Sequence, residues 1–303
     1  QLDLTRSKLL DLHGGSRLHY YTNTSKLYFS PRIKLKFFDD RTLSFGMGFS
    51  KNYQFMHRLS FYNVSTPEIW VISTNDQPPT SSNYFTAGIY ARINSKTQLQ
   101  VEGYYKILDK ARLFEISSQT LTNSFDALPW LYNNDGLSQG IEVMLRNRIG
   151  TVTLTNSYTF SEATFSNPSI MDGESFYAPW DQTHSINSSA KIQVTKNLTS
   201  FLTFNYASGF PNRLYFLQVE EEQRLSDYRR LDAGVEYSGL IGNIQVEFKA
   251  SFFNVLNRNN TWYRELNLVI DTSVPRNQRR LSSQPVDVYD LGFQPSFSTH
   301  IWF

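Results

Sequence analysis

Short turns and long loops alternate along this chain, and the segments they join alternate apolar with polar residues. Tight turns near positions 39, 95, 150, 196 and 240 are each followed or preceded by long polar stretches, near 51 to 83, 117 to 135, 161 to 183, 208 to 228 and 258 to 289. Side chains of a strand point to opposite faces with period two. Ile33, Leu35 and Phe37 against Arg32, Lys34 and Lys36, then Leu43, Phe45, Met47 and Phe49 against Thr42, Ser44, Gly46, Gly48 and Ser50, therefore describe a hairpin with one apolar face. The same format recurs at 85–93 with 99–107, 141–145 with 152–160, 186–194 with 198–206, and 231–237 with 244–252. These runs are nearer the roughly nine to eleven residues of a tilted membrane strand than the five or six common in soluble sheets. Short turns on one side and long loops on the other are the habit of an outer-membrane β-barrel, and they disfavour a soluble β-sandwich or propeller.

Composition agrees. Aromatic residues make up 15% and charged residues 18% of the 303. Mean hydropathy is nevertheless negative, and no apolar run of the roughly eighteen residues that a membrane helix needs is present. A barrel reconciles these facts, because each strand shows lipid only one face. The absence of cysteine rules out a disulfide framework and thiolate metal sites. A net charge of +2 argues against a nucleic-acid partner. The chain opens Gln1-Leu-Asp-Leu4 without Met or an apolar leader, as a mature chain or a piece of a longer one does.

The chain ends in another such strand. Leu291, Phe293, Pro295, Phe297, Thr299, Ile301 and Phe303 fall on one face, and Gln294, Ser296, Ser298 and His300 on the other. An edge that runs to the last residue needs a partner strand, and barrel closure supplies one. About eleven strands are clear, and one or two more are expected in 1–21 around a turn at Gly14-Gly15, so the chain should hold about 11–13. Twelve would allow a complete small barrel, whereas an odd number would place the first strand in mid-barrel. The C-terminus falls on the short-turn side, expected to be periplasmic.

Several short strings resemble the C-terminal half of a TonB-dependent outer-membrane receptor of the Bacteroidetes-like sort. They are Ser30-Pro-Arg-Ile-Lys-Leu35, Tyr177-Ala-Pro-Trp-Asp-Gln-Thr-His-Ser-Ile-Asn187, Ala207-Ser-Gly-Phe-Pro211, Tyr228-Arg-Arg-Leu-Asp232, Phe253-Asn-Val-Leu-Asn-Arg258 and the terminal Phe303. The resemblance implies an all-β, antiparallel transmembrane barrel of twenty-two strands, of which residues 1–303 form the C-terminal portion. It also implies an N-terminal plug, which cannot be placed in these residues. Energy would come from the TonB–ExbB–ExbD complex through the missing N-terminal part. Phe303 would be the signal read by the barrel-assembly machinery. The implied function is uptake of a scarce nutrient, with siderophores, vitamins, glycans and peptides all compatible with the architecture.

Candidate chemistry is sparse. Asp181 and His184 sit three apart before a strand and could pair or share a metal, but a role in tying the loop to a neighbouring strand is the expectation. Glu220-Glu-Glu222, beside Arg213 and Arg224, could hold Ca²⁺ and is expected to be a solvated or salt-bridged surface run. Arg276, Arg279 and Arg280 could meet an anionic substrate or the phosphates of lipopolysaccharide. Trp70, Trp130 and Tyr132 in the long stretches could contact ligand or a surface lipoprotein. Tyr53, Phe55, Trp180, Tyr206, Trp262, Tyr289, Trp302 and Phe303 are expected at the lipid–water boundary, alongside outer-membrane lipid. Gln100, Glu102, Arg146, Asp232, Glu236, Glu247 and Lys249 are expected to line the interior.

No nucleophile elbow, P-loop or dinucleotide fingerprint occurs, so no catalytic, cofactor or metal residue is assigned and no enzymatic activity is expected. An enzyme would have to use His184 or His300 as its base. Two other readings stay open at this point: a complete twelve-stranded passive porin, and a non-transporting surface receptor or adhesion barrel.

Overall fold

The computed structural model describes residues 2–6, 9–38, 42–59, 69–114, 131–212, 223–270, 273, 275 and 281–302. Its strands are β1 (Leu2–Arg6), β2 (Leu10–Tyr21), β3 (Lys26–Phe37), β4 (Leu43–Gln54), β5 (Met56–Leu59), β6 (Ile69–Ile72), β7 (Thr80–Arg92), β8 (Thr97–Phe114) and β9 (Leu131–Ile149). They continue as β10 (Val152–Asn167), β11 (Ile170–Tyr177), β12 (His184–Gln193), β13 (Leu198–Ala207), β14 (Tyr228–Ile241), β15 (Ile244–Phe253), β16 (Thr261–Ile270), β17 (Leu281–Tyr289) and β18 (Gln294–Trp302). No helix among the described residues is long and apolar enough to cross a membrane.

Fourteen strands form one antiparallel sheet in the order β1-β2-β3-β4-β7-β8-β9-β10-β12-β13-β14-β15-β18, with β11 a side branch on β10. Among the described residues the path therefore holds thirteen strands. That is the top of the expected range, and an odd number does not fit the twelve-stranded closed barrel. Among the described residues, β1 and β18 each have one neighbour.

Register gives the sheet two unlike faces. Phe45, Ile89, Val101, Val143, Tyr158, Ile186 and Tyr206 lie side by side across seven strands. One residue along, the row reads Lys36, Gly46, Gly88, Glu102, Glu142, Thr159 and Ser185. A one-residue slip would exchange the two rows, so the apolar pattern pins the pairing.

Only seven apolar residues are buried among the described ones, while Phe85, Ile89, Tyr105, Ile141, Phe160, Phe248 and Phe297 remain 39–64% exposed. In water that balance would leave the sheet without a core. Against hydrocarbon the exposed row is the buried face, which disposes of the soluble sandwich. Most of the small buried core lies at the long-loop end of the sheet. β8, β9 and β10 run to 18, 19 and 16 residues. Their loop-end extensions and β11 enclose Ala111, Leu113, Phe165, Phe176 and Ala178.

Two expectations need correction. No turn occurs at Gly14-Gly15, because β2 runs straight through both and pairs them with Ile33 and Arg32 of β3. A Cβ on Gly15 would stand 2.8 Å from Arg32 Nε, so the glycine makes room for the arginine stem rather than for a bend. The long polar stretches are also not strandless. They hold the β5–β6 and β16–β17 hairpins and β11, and β9 already begins at Leu131.

Candidate functional site

The polar face is the side a closed barrel would turn inward, and it is not uniform. β3 contributes a basic row of Arg32, Lys34 and Lys36, and β4 and β7 contribute a floor of Gly46, Gly48 and Gly88. Beyond the floor stand Tyr84, Tyr90 and Glu102, and together these residues line a hollow of about 570 Å³. A Cβ built on Gly46 would meet nothing within 4 Å, whereas one on Gly48 would stand 2.8 Å from Thr86 Oγ1 and one on Gly88 3.1 Å from the Val101 carbonyl oxygen, so the spare room lies at Gly46. Glu102 of β8 faces Glu142 of β9 directly. Neither carboxylate has an ion pair to a described residue, and like charges opposed across strands repel. The trough is thus basic on one bank and acidic on the other, with its acid pair uncompensated. All seven residues expected to line the interior lie on this face by register.

At the loop end, the recurring short strings turn out to be joints. Asp181, with its side chain 1% exposed, receives Arg224 Nη2 at 2.5 Å and the Ala163 amide at 2.6 Å. Arg224 also donates to the Asp181 and Gly209 carbonyls, and its guanidinium lies 4.2 Å from the Tyr177 ring centroid. Gln182 donates to the Ser208 carbonyl, and the His184 amide donates to Ser208 Oγ. A Cβ on Gly209 would fall 1.8 Å from the Leu225 carbonyl oxygen, so only glycine fits between these segments. Asp181 and His184 do not meet: His184 Nδ1 instead pairs with the Tyr158 hydroxyl at 2.9 Å. The structural expectation for both residues holds, and no group of three or more metal-ligating side chains occurs among the described residues.

Tyr228-Arg230-Asp232 and the Asn254 segment form a second joint. Arg230 donates to Asp232 at 3.0 Å and to the Tyr228 hydroxyl at 2.6 Å, and Tyr228 donates to Asp290 at 2.9 Å. The fully buried Asn254, at φ 49°, donates to the Arg258 and Leu291 carbonyls while its own amide donates to Asp232. Asn260 clamps the Arg229 backbone from both sides, at 2.9 and 3.0 Å. The end of β14 is thereby tied to the chain that enters β18.

Outside the main sheet, His57 of β5 is buried and its Nε2 lies 3.5 Å from Thr80 Oγ1. Burial, with the nearby Arg112 charge, holds its pKa down from 6.5 to about 4. Arg112 in turn donates to Ser73 and to the Gln77 and Pro78 carbonyls, which seats the turn after β6.

The candidate ligand residues do not form one cluster in the described structure. Trp70 is 55% exposed on β6. The backbone of Tyr132 is paired with Leu113, in a different sheet. Trp130, Arg276, Arg279, Arg280, Phe303, Arg213 and Glu220–Glu222 lie outside the described residues. Arg224, Asp290 and the glycine floor carry the joints and the trough, and no spacing in the sequence announces them. Their partners stand as far as 62 residues away.

No protein-family model and no curated protein matches the sequence. Solved structures do match in shape. The ferric yersiniabactin uptake receptor FyuA from Yersinia pestis superposes with a TM-score of 0.67 at 13% identity, over 98% of this chain and 44% of that one. The ferric-catecholate import receptor Fiu from K12 E. coli gives 0.60 at 11%, over 98% and 43%. The FrpB iron transporter from Neisseria meningitidis gives 0.64 at 10%, over 98% and 44%. This chain spans less than half the length of each. Over nearly all of its own length, it carries the fold of the outer-membrane TonB-dependent receptor barrel.

Proposed function

We propose that this chain forms the C-terminal barrel strands and loops of an outer-membrane receptor that takes up a scarce nutrient with TonB-supplied energy. The observation that carries this reading is the charge-divided trough. Gly46 leaves open space on the lumen side, and the facing Glu102 and Glu142 have no ion pair to a described residue. A polypeptide seated in the lumen would use both, by laying backbone on the glycines and a basic side chain against Glu102 and Glu142. The motif resemblance and the fold point the same way.

The nutrient-uptake step, the coupling to TonB–ExbB–ExbD and a contact with lipopolysaccharide or a surface lipoprotein are parts of the same proposal. The test is growth on, or accumulation of, the ligand by cells carrying the full-length gene, with and without TonB. Uptake that requires TonB supports the reading. Uptake unchanged without TonB, together with ion conductance by the purified protein in planar bilayers, would favour the passive channel.

A further inference from the structure

At the loop end of β12, β13 and β14, on the inward face, a hollow of about 380 Å³ opens beside the base of the β16–β17 hairpin. Its chemistry differs from that of the trough. Asn187 and Asn205 are register partners on its floor, and Asn187 Nδ2 donates to Asn205 Oδ1 at 2.5 Å. That leaves the Asn205 amide nitrogen, buried and without a hydrogen-bond partner. An unsatisfied buried donor costs roughly 1–3 kcal/mol unless something occupies it.

The ionic groups of the hollow are already spoken for. Arg230 is held by Asp232 at 3.0 Å and approaches Asp290 at 4.0 Å, while Arg229 lies on the opposite face of β14 and does not line the hollow. Two carboxylates against the single Arg230 guanidinium leave no cation for an anionic ligand. The remaining feature is a flat aromatic. The β16–β17 ladder pairs Thr261 with Tyr289 and Tyr263 with Val288, so Trp262 is the extra residue of a bulge. Bulges re-aim side chains, and this one leaves Trp262 lining the hollow with 61% of its surface exposed.

From these features we infer that the hollow binds an uncharged, polyhydroxylated ligand, an oligosaccharide in chemical class. Side-chain amides both donate to and accept from hydroxyls, Asp290 accepts from them, and an exposed indole presents a flat apolar surface to the C–H face of a sugar ring. The inference rests on the receptor reading above and narrows its ligand.

The experiment uses the full-length receptor purified in detergent, with folding checked by heat-modifiable electrophoretic mobility. Binding is read by titration calorimetry against neutral hexasaccharides of glucose, xylose, mannose and N-acetylglucosamine, and against an anionic ferric catecholate. At least one neutral saccharide is expected to bind, and the chelate is not. Trp262→Ala and Asn205→Leu should each weaken saccharide binding roughly tenfold or more while the barrel stays folded. Binding of the ferric chelate alone, no saccharide binding at millimolar concentration, or saccharide binding indifferent to both variants overturns the inference. If saccharide binds through Trp262 but cells take it up without TonB, the transport reading fails and this inference stands.

Discussion

Asp181 and Arg224, 43 residues apart in sequence, meet at 2.5 Å in a contact that leaves the carboxylate 1% exposed. They join the chain entering β12 to the segment leading into β14, and the Ala163 amide adds β10 to the same carboxylate. Removing one partner strands a buried charge. Arg224→Ala is expected to destabilise the folded barrel by about 3–5 kcal/mol. The Asp181→Asn/Arg224→Leu double variant should recover part of that loss, because no unpaired charge is left behind. Thermal unfolding in detergent, followed by the mobility of the unheated band, measures both.

Gly209 and Gly46 make opposite predictions. Gly209→Ala drives a methyl group against the Leu225 carbonyl, which something must move to admit. A loss of about 3 kcal/mol or more is expected, visible as a smaller folded fraction in outer-membrane preparations. Gly46→Ala has open space above it and should fold like the parent. Gly46→Leu should also fold, yet lower ligand uptake, because it fills the floor on which the lumen occupant is proposed to lie.

The Glu102–Glu142 pair separates stability from function. Glu102→Gln removes a like-charge opposition and should stabilise the barrel strands in this chain by about 0.2–1 kcal/mol. In the full-length receptor the same change should loosen the lumen occupant, read as faster proteolysis of the segment upstream of this chain. A Glu102→Gln variant that is both less stable and equally protected would remove the main support for an occupied lumen.

His57 makes the docking of the β5–β6 hairpin sensitive to acid. Its pKa in the folded chain, about 4, lies below the ordinary 6.5. The unfolded state therefore binds the proton first, so the stabilisation is fully present above about pH 6.5 and is lost as pH falls toward 4. Hydrogen–deuterium exchange of the β5 and β6 backbone amides should speed up over that interval. His57→Gln should flatten the pH dependence, since an amide can keep the approach to Thr80 without taking a charge.

Much of the sheet was legible because the spanning strands obey one rule. Lipid on one side and a polar interior on the other force alternation, and Val101, Val143 and Tyr158 report it without knowledge of their partners. The rule fails where it does not apply. β16 and β17 stand off the main sheet, and Ser282, Ser283, Gln284 and Asp287 make the second of them read as loop. Gly14-Gly15 was misleading because a glycine that admits a neighbouring side chain looks, in one dimension, like a glycine that turns the chain. The short strings located the joints, but not what they join. Arg224 and Asp290 acquire meaning only when the sheet brings distant segments together.

The most direct test of the account is which face of the sheet meets lipid. The chain has no cysteine, so single introduced thiols report without background. Val246→Cys and Phe248→Cys on β15 lie on the apolar face, and Glu247→Cys and Lys249→Cys on the polar one. In outer-membrane vesicles carrying the full-length protein, a membrane-impermeant charged maleimide should label Cys at 247 and 249, while a lipid-dissolved maleimide should label Cys at 246 and 248. Labelling of all four positions by the charged reagent, or the reverse alternation, would contradict the membrane-spanning barrel and everything built on it.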